Sequence, residues 1–179
     1  MTTLTLPPVP TEEAAPSYHG YLKSVPDGRI GMHLQAQVSE LEVLCAGLTA
    51  SGAMFRYAEG KWTIKEVIGH LLDGERVFAY RLLRISRNDT TALPGFEENT
   101  YVPEGQFNLR GIDDLLSEFT LQRASTLALA NSIPSSAWTR FGTASDNRIS
   151  ARAIVYIIVG HTAHHFRILR ERYRLPVAG

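Results

Sequence analysis

Apolar side chains recur every three to four residues in four stretches of this chain, which is the spacing of amphipathic helices. No stretch alternates convincingly between apolar and polar residues with the period of a β-strand. The pattern therefore predicts an all-α fold with four main helices.

In the first stretch, one helical face carries Leu34, Val38, Leu41, Cys45 and Leu48. Cys45 is accordingly expected in the core, as a small buried side chain rather than an exposed nucleophile.

The start of the second predicted helix carries a capping signal. Thr63 stands where an N-cap residue belongs, and Glu66 follows three residues later, as in a capping box. Trp62, just before the cap, can pack on Val67 as a hydrophobic staple. We therefore expect Glu66 to serve the start of this helix rather than catalysis.

The third and fourth predicted helices also have recognisable ends. The third starts near Asp113 and stops before Pro134, because the residue before a proline disfavours helical backbone. The fourth follows Ser150, a good N-cap, and ends before Pro176. Four helices of about 18 to 24 residues are long enough to pack as a bundle, where metal sites are commonly built from side chains on facing helices.

Two segments of the chain are expected to lie outside these helices. Residues 1–26 hold five prolines among small polar residues, which favours an extended arm over the surface of a single domain at residues 27–179. Between residues 86 and 112, prolines and glycines are too frequent for a helix. This long loop between the second and third helices is expected to cross an end of the bundle.

Charge and composition exclude some classes of partner. The chain has 18 basic and 18 acidic side chains and therefore no net charge. No overall electrostatic field attracts it to nucleic acid or to an anionic membrane, so we expect neither as a partner. Arginines are frequent at the end of the fourth helix: Arg167, Arg170, Arg172 and Arg174. Glu171 lies among them, and their positions are better explained by the helix dipole than by nucleic-acid binding.

Length and cysteine content indicate one soluble domain. A chain of 179 residues with 44% hydrophobic residues can bury a core without disulfides. The single cysteine cannot form an intramolecular disulfide, and the first residues lack the basic and apolar regions of a secretory signal. No apolar stretch approaches the roughly 20 residues that cross a bilayer. We therefore expect a cytoplasmic protein.

Three of the six histidines fall within five residues, at His161, His164 and His165. With about 100° of rotation per residue, His161 and His165 fall in the middle of the apolar face of the fourth helix, whereas His164 falls on its flank. Two buried imidazoles need hydrogen-bond partners or a shared ion, because an unsatisfied ring nitrogen costs about 1–3 kcal/mol. The spacing alone leaves a structural role and a metal-binding role open.

A metal ion shared by this pair needs at least one more ligand from another helix. His70, in the second helix, is the obvious candidate, although it falls about 100° from the centre of the apolar face of that helix. His19 in the arm and His33 on the polar side of the first helix are expected to be solvated.

A further pattern spans most of the chain. It consists of the segments Gly60–Asp73, Leu93–Asn99, Ser145–Ser150 and Gly160–His165. Together these segments resemble the DinB superfamily of metal-binding four-helix bundles, and its YfiT-like branch in particular, over residues 28 to 174. The resemblance implies a bundle in up-down-down-up order that holds one divalent ion.

The resemblance also implies a set of metal ligands. On this sequence they are His70 from the second helix and the pair His161 and His165 from the fourth. His164 matches a position that the family often fills with histidine without using it as a ligand. The helical wheel supports His161 and His165 independently of the resemblance.

Three imidazoles that leave one coordination position open are typical of a catalytic metal site. Such a position can activate water for hydrolysis or a thiolate for transfer. Characterised members of the resembled superfamily include enzymes that join low-molecular-weight thiols to electrophiles, and YfiT-like proteins are regarded as metal-dependent hydrolases. The resemblance therefore implies a metal-dependent enzyme that acts on a small molecule, as a hydrolase or as a thiol S-transferase. The alternative is a non-catalytic metal-binding module with a role in binding or stress response.

Several finer features are also expectations. An all-imidazole site suits several divalent transition metals, of which we expect zinc or nickel, with one ion per chain. Asp73 or Glu75 could orient His70 through its second ring nitrogen, and no general base is assigned. We expect a homodimer, because such bundles commonly expose an apolar helix face and two-fold dimers are the commonest soluble oligomers.

Overall fold

The computed structural model describes residues 4–25 and 27–176. Within this part of the chain, the α-helices are α1 (His19–Lys23), α2 (Ile30–Cys45), α3 (Ile64–Ser86), α4 (Glu98–Glu104), α5 (Ile112–Asn131) and α6 (Ala151–Glu171). A hairpin of two antiparallel strands, β1 (Phe141–Ala144) and β2 (Asn147–Ser150), precedes α6. The predicted all-α class is confirmed, and α2, α3, α5 and α6 are the four long helices of the bundle.

Helix α3 begins where its sequence predicts. The hydroxyl of Thr63 accepts a hydrogen bond from Glu66 N at 3.1 Å, and Glu66 Oε2 accepts one from Thr63 N at 2.7 Å. The predicted capping box is therefore present, and it uses Glu66. The side chain of Asn108 bonds to both residues at 2.7 Å. These bonds tie the start of α3, and with it the position of His70, to the loop before α5.

The four long helices run up, down, down and up in chain order. Helix α3 is antiparallel to α6, because Tyr173 Oη, just after α6, donates to Trp62 O, just before α3, at 2.7 Å. Helix α2 is parallel to α6, and an ion pair joins Glu40 to Arg170 near their C-terminal ends. The contacts of Asn108 with the start of α3 make α3 and α5 parallel. The order implied by the family resemblance is therefore confirmed.

A buried polar layer divides the interior of the bundle into two apolar clusters. One cluster fills the end where α2 and α6 begin, and the other fills the end where they finish. Between them Arg123 is fully buried and bonds to Gln37 Oε1 at 3.0 Å and Thr162 Oγ1 at 3.1 Å. Its guanidinium also lies 3.0 Å from a carboxylate oxygen of Glu75. This polar layer contacts all four long helices and was not predicted from the sequence.

A hairpin and a short helix lie where the sequence predicts only irregular structure. The hairpin turns at Ser145 and Asp146, whose φ angles of 50° and 61° match a tight two-residue turn between antiparallel strands. Each of its strands has only four residues, too few for a convincing alternation. Helix α4 lies within the long loop, and Leu93 of that loop pairs with Ala144 of the hairpin.

The proline-rich segment before α2 contains short helical turns and packs on α6. Residues 1–3 and 26 of the predicted arm, and residues 177–179 of the predicted domain, lie outside the described residues. Glu13 is buried and accepts hydrogen bonds from Ser150 Oγ at 2.6 Å and Arg152 Nε at 2.7 Å. The hydroxyl of Tyr156 donates to Leu6 O at 3.0 Å. These contacts anchor the segment on the first half of α6.

Helices α1 and α6 approach each other closely at Gly160. A Cβ atom at this position would overlap the carbonyl group of Tyr21 in α1. Only glycine therefore lets the two backbones pack at this distance. The close approach places the ring of Tyr21 beside the next residue of α6, which is His161.

Two further predictions from the sequence concern Cys45 and membrane-spanning helices. Cys45 is 6% exposed and has a free thiol, as predicted. None of the helices in residues 4–25 and 27–176 has both the length and the apolar character that a membrane span requires.

Candidate metal centre

Helix α6 presents His161 and His165 towards α3. The two residues are one helical turn apart, and their ring centroids are 4.7 Å apart. His161 is buried and His165 is partly buried. The start of the helix is fixed by Ser150, whose hydroxyl accepts a hydrogen bond from Ala153 N at 3.0 Å. Both rings lie on the inner face of α6, as the helical wheel predicts.

Helix α3 contributes His70, which is 4% exposed. Its Nε2 atom lies 2.8 Å from Nε2 of His161, and its ring centroid lies 4.8 Å from that of His165. Gly74, one turn further along α3, leaves room for this approach, because a Cβ atom there would lie 3.3 Å from Cε1 of His161. The structure thus brings together all three histidines that the sequence analysis singles out as ligands.

The spacing of the three imidazoles fits a shared divalent ion. One ring nitrogen of each histidine lies within 4.8 Å of the others, and Nε2 of His70 lies 2.8 Å from Nε2 of His161. Two nitrogens bound to one tetrahedral zinc ion are about 3.3 Å apart, since each Zn–N bond is about 2.0–2.1 Å long. The distance of 2.8 Å and the limit of 4.8 Å lie on either side of this value. The cluster therefore has the geometry of a three-histidine site for a divalent metal.

Burial keeps the three imidazoles neutral at physiological pH. It lowers the pKa of His70 to about 4. It also lowers the pKa of His165 to about 3, with a smaller contribution from the neighbouring imidazoles. The pKa of His161 is well below its usual value because of burial and the adjacent histidines. The neutral imidazole is the form that binds metal ions, so the cluster is ready for a ligand role at pH 7.

The three histidines line a cavity of about 380 Å³ that opens to the surface, here called the histidine pocket. Aromatic side chains form much of its wall. Trp62 lies against His70 with ring centroids 4.8 Å apart, and Tyr21 lies edge-on to His161 at 5.6 Å. The ring centroid of Phe78 lies 6.3 Å from that of His161. The cavity has the size of a small-molecule site, and the rings hold the imidazoles in place.

These aromatic walls were not predicted from the sequence. Trp62 was expected to act as a staple, and neither Phe78 nor Tyr21 was assigned a role in a site. Tyr18 and Tyr21 both line the pocket, and their spacing of three residues is that of one face of a helical turn. This spacing was the available signal that the arm contributes to a site.

The remaining histidines stand outside the cluster. His164 lies on the flank of α6, where Nη2 of Arg167 is 3.3 Å from its Nδ1. His19 Nε2 lies 3.3 Å from a backbone carbonyl oxygen, and His33 Nε2 lies 2.7 Å from a carboxylate oxygen of Asp27. His19 and His33 are partly exposed and have protein partners as well as solvent contact.

The carboxylates near His70 in the sequence serve other partners. Glu75 pairs with the buried Arg123, and Asp73 lies 3.7 Å from Arg76. Neither bonds to His70 within the described residues, so neither orients its ring directly. The carboxylate that lines the histidine pocket belongs instead to Glu98, at the start of α4. Glu98 was not predicted from the sequence, because it lies in the segment expected to be a loop.

A four-helix bundle in which imidazoles from two helices converge on one point defines a class of metal-binding helical bundles. The sequence pattern of the DinB superfamily matches residues 33–169 of this chain. The chain therefore belongs to the DinB superfamily. No curated protein sequence matches it.

Two solved structures share the fold. YfiT from Bacillus subtilis, described as a probable metal-dependent hydrolase with an unusual four-helix bundle topology, aligns with a TM-score of 0.72 and 18% sequence identity. The alignment covers 81% of this chain and 86% of YfiT. A DinB-like protein of Bacillus subtilis, YjoA, aligns with a TM-score of 0.60 and 16% identity over 83% of this chain and 95% of its own. At these identities the likeness establishes the fold.

Proposed function

We propose that the chain is a metal-dependent enzyme that acts on a small molecule. One divalent ion, zinc or nickel, is held by His70, His161 and His165. The observation that carries the proposal is the convergence of three neutral imidazoles, with ring nitrogens within 4.8 Å of one another, on the wall of an open pocket of about 380 Å³. Structural zinc sites use four protein ligands, whereas catalytic ones use three and leave a position for water or substrate.

The bound ion would supply a Lewis acid with one position for an incoming water or thiolate, which suits hydrolysis or thiol transfer. The protein contributes orientation and exclusion of water. Trp62 and Phe78 pack against the imidazoles and limit their rotation. Burial raises the pKa of Tyr21, with a further contribution from Glu98, so its phenol stays protonated and can donate a hydrogen bond.

Hydrolysis and thiol transfer place different demands on the pocket. YfiT is described as a probable metal-dependent hydrolase, which favours hydrolysis by fold likeness. The family resemblance also implies enzymes that join low-molecular-weight thiols to electrophiles. Thiol transfer needs room for two substrates beside the ion, and the histidine pocket adjoins further space on the α1 side. We therefore keep both reactions as the two forms of the proposed activity.

A non-catalytic metal-binding module is the alternative interpretation of the sequence. Such a module has no need of an accessible coordination position. Here the pocket reaches the imidazoles, and no fourth His, Cys, Asp or Glu of the described residues joins the cluster. Both features favour an enzyme over a module without turnover.

The proposal is tested first by metal content. We expect purified protein to carry about one divalent ion per chain by elemental analysis, and His70→Ala and His161→Ala to lose most of it, because two imidazoles hold an ion weakly. The matched control is His164→Ala, which removes an adjacent imidazole that lies outside the cluster. Circular dichroism of each variant checks that the bundle is folded. Equal metal content in all four proteins would refute the ligand assignment.

Activity is tested next with ester, amide and thiol-plus-electrophile substrates. We expect turnover that disappears on chelation and returns when zinc or nickel is added. Turnover that survives chelation would show that the reaction does not require the metal ion. Stoichiometric metal without turnover on any substrate class would favour the non-catalytic module. Light scattering on the same preparations gives the molar mass in solution and so tests the proposed homodimer.

A further inference from the structure

A second cavity adjoins the histidine pocket between α1 and α6. It has a volume of about 700 Å³ and is here called the outer cavity. Ser17, Tyr21 and His164 line both spaces, so the outer cavity and the histidine pocket are neighbours. The ring of His164 lies 5.2 Å from that of His165. A molecule with one end at the clustered imidazoles can therefore extend into the outer cavity.

The outer cavity carries two positive charges. Lys23 comes from the end of α1 and Arg167 from α6, and both are exposed. Neither pairs with a carboxylate among residues 4–25 and 27–176, whereas Arg152 and Arg170 on the same helix have Glu13 and Glu40 as partners. The guanidinium of Arg167 instead lies beside the imidazole of His164, which carries no negative charge. The cavity thus has a local positive potential that the zero net charge of the chain does not reveal.

The histidine pocket has the opposite charge at its edge. Glu98 lines that pocket and does not line the outer cavity. A negative group on a bound molecule is repelled by Glu98 and attracted by Lys23 and Arg167. The hydroxyl of Ser17 adds a hydrogen-bond donor to the lining of the outer cavity. For a molecule whose other end is held at the ion, charge and hydrogen bonding therefore place its anionic end in the outer cavity.

We propose that the outer cavity is an anion subsite that binds a carboxylate of the substrate through Arg167 and Lys23. The substrate is then an elongated carboxylate whose reactive group reaches the three histidines. Arginine suits this role, because its planar guanidinium can hold both oxygens of a carboxylate. The inference rests on the proposed function and names the substrate class for the same site.

The subsite can be tested without a metal ion. Glutarate is titrated into metal-free protein while the Nε–Hε signal of Arg167 is followed by NMR. We expect a saturable shift of this signal and a much smaller shift at Arg172, an exposed arginine five residues further on that lies outside the cavity. Equal shifts at the two arginines would overturn the subsite, since they would report only general attraction between charges.

A second measurement joins the subsite to the histidines. Nickel-loaded protein is titrated with 6-mercaptohexanoate and with 6-mercaptohexan-1-ol, which have matched lengths, and thiolate binding is read from sulfur-to-metal absorption. We expect wild type to bind the acid roughly three- to tenfold more tightly, as for a partly exposed ion pair with added hydrogen bonds. Arg167→Gln should remove most of this preference, while Arg172→Gln, which makes the same change in net charge, should keep it.

The outcomes separate the two proposals. If neither thiol reaches the ion, the proposed function fails, and the NMR titration still decides the subsite. If both thiols bind with equal affinity, or if Arg167→Gln and Arg172→Gln weaken the acid equally, the subsite is wrong while the open metal position stands. Selective loss of acid binding in Arg167→Gln, with unchanged binding of the alcohol, supports the subsite.

Discussion

The thiol of Cys45 lies in the apolar cluster at the C-terminal end of α2. It is 6% exposed, and burial raises its pKa to about 12. The thiolate is the nucleophilic form of cysteine, and at pH 8 only about one such thiol in ten thousand is ionised. A thiol-transfer reaction on this protein must therefore take its thiolate from a small molecule rather than from the chain.

Burial of Cys45 predicts resistance to thiol reagents. In native protein at pH 8 we expect Ellman's reagent to modify well under about 0.1 thiol per chain within an hour, because both ionisation and access are suppressed. After unfolding in guanidinium chloride, one thiol per chain should react. Ser39→Cys, at an exposed position of the same helix, is the control and should react in the native state. Rapid modification of the native wild-type protein would contradict the buried position.

The clustered histidines show how far single residues can be placed from sequence. His161 and His165 lie in the middle of the apolar face of α6, so a helical wheel predicts their inward position. His70 lies on the flank of the apolar face of α3, yet it is only 4% exposed. The flank is covered because α6 packs there. A wheel gives direction within one helix and cannot report which neighbour covers it, so the sequence made His70 a candidate and the family resemblance was needed to choose it.

At the scale of secondary-structure elements, the contact between α1 and α6 gives the arm its role. Gly160 lets the two backbones meet, and Tyr21 of α1 then lies 5.6 Å from both His161 and His164. The arm thereby completes one wall of the histidine pocket and the inner side of the outer cavity. The position of this short helix therefore depends on the close approach that Gly160 permits.

Gly160→Ala is predicted to displace the arm. The added methyl group would overlap the backbone of Tyr21, which cannot move aside as a side chain can, so α1 must shift at a cost of about 1–3 kcal/mol. We expect faster cleavage by trypsin after Lys23, followed by mass spectrometry. Gly20→Ala is the matched control, because no atom lies within 4 Å of its added Cβ. Cleavage of Gly160→Ala at the wild-type rate would refute the close contact.

The elements themselves were predicted with unequal success. Caps at Thr63 and Ser150 located the starts of α3 and α6 correctly, because a cap is a local hydrogen bond between neighbours in sequence. The hairpin at residues 141–150 was missed, since its strands are short and are held by contacts outside themselves. Leu93, from the long loop, hydrogen-bonds to Thr143 and so extends the pairing from a distant part of the chain. No local pattern contains that information.

At the scale of the whole molecule, the buried polar layer sets the position of the candidate site. Arg123 holds Gln37 and Thr162, and Gln37 Nε2 donates to Val159 O at 2.8 Å. These bonds hold α6 on both sides of His161, the most buried of its clustered histidines. These bonds thereby fix the rotation of each long helix about its own axis at the level of the site. Helical periodicity did not predict this layer, because it marks apolar faces and gives no account of paired charges within them.

The buried pair of Arg123 and Glu75 leads to a prediction about stability. Arg123→Met leaves the carboxylate of Glu75 buried without its partner, which should lower the free energy of unfolding by about 3–5 kcal/mol. Adding Glu75→Gln removes that charge, so the double variant should be more stable than Arg123→Met alone. The measurement is urea unfolding with a chelator present, so that metal binding does not contribute.

The exposed pair of Arg110 and Asp114 on the outside of the bundle is the control for this cycle. Arg110→Met and Asp114→Asn should show a coupling of only about 0.3–0.5 kcal/mol, because solvent screens the charges of an exposed pair. A coupling between Arg123 and Glu75 as small as this would mean that the polar layer is solvated in solution. The helices would then lack a fixed rotation at that level, and the convergence of His70 with His161 would need another cause. A coupling several times larger would support the conclusion that the buried pair of Arg123 and Glu75 keeps the imidazoles aligned, although it contacts none of them directly.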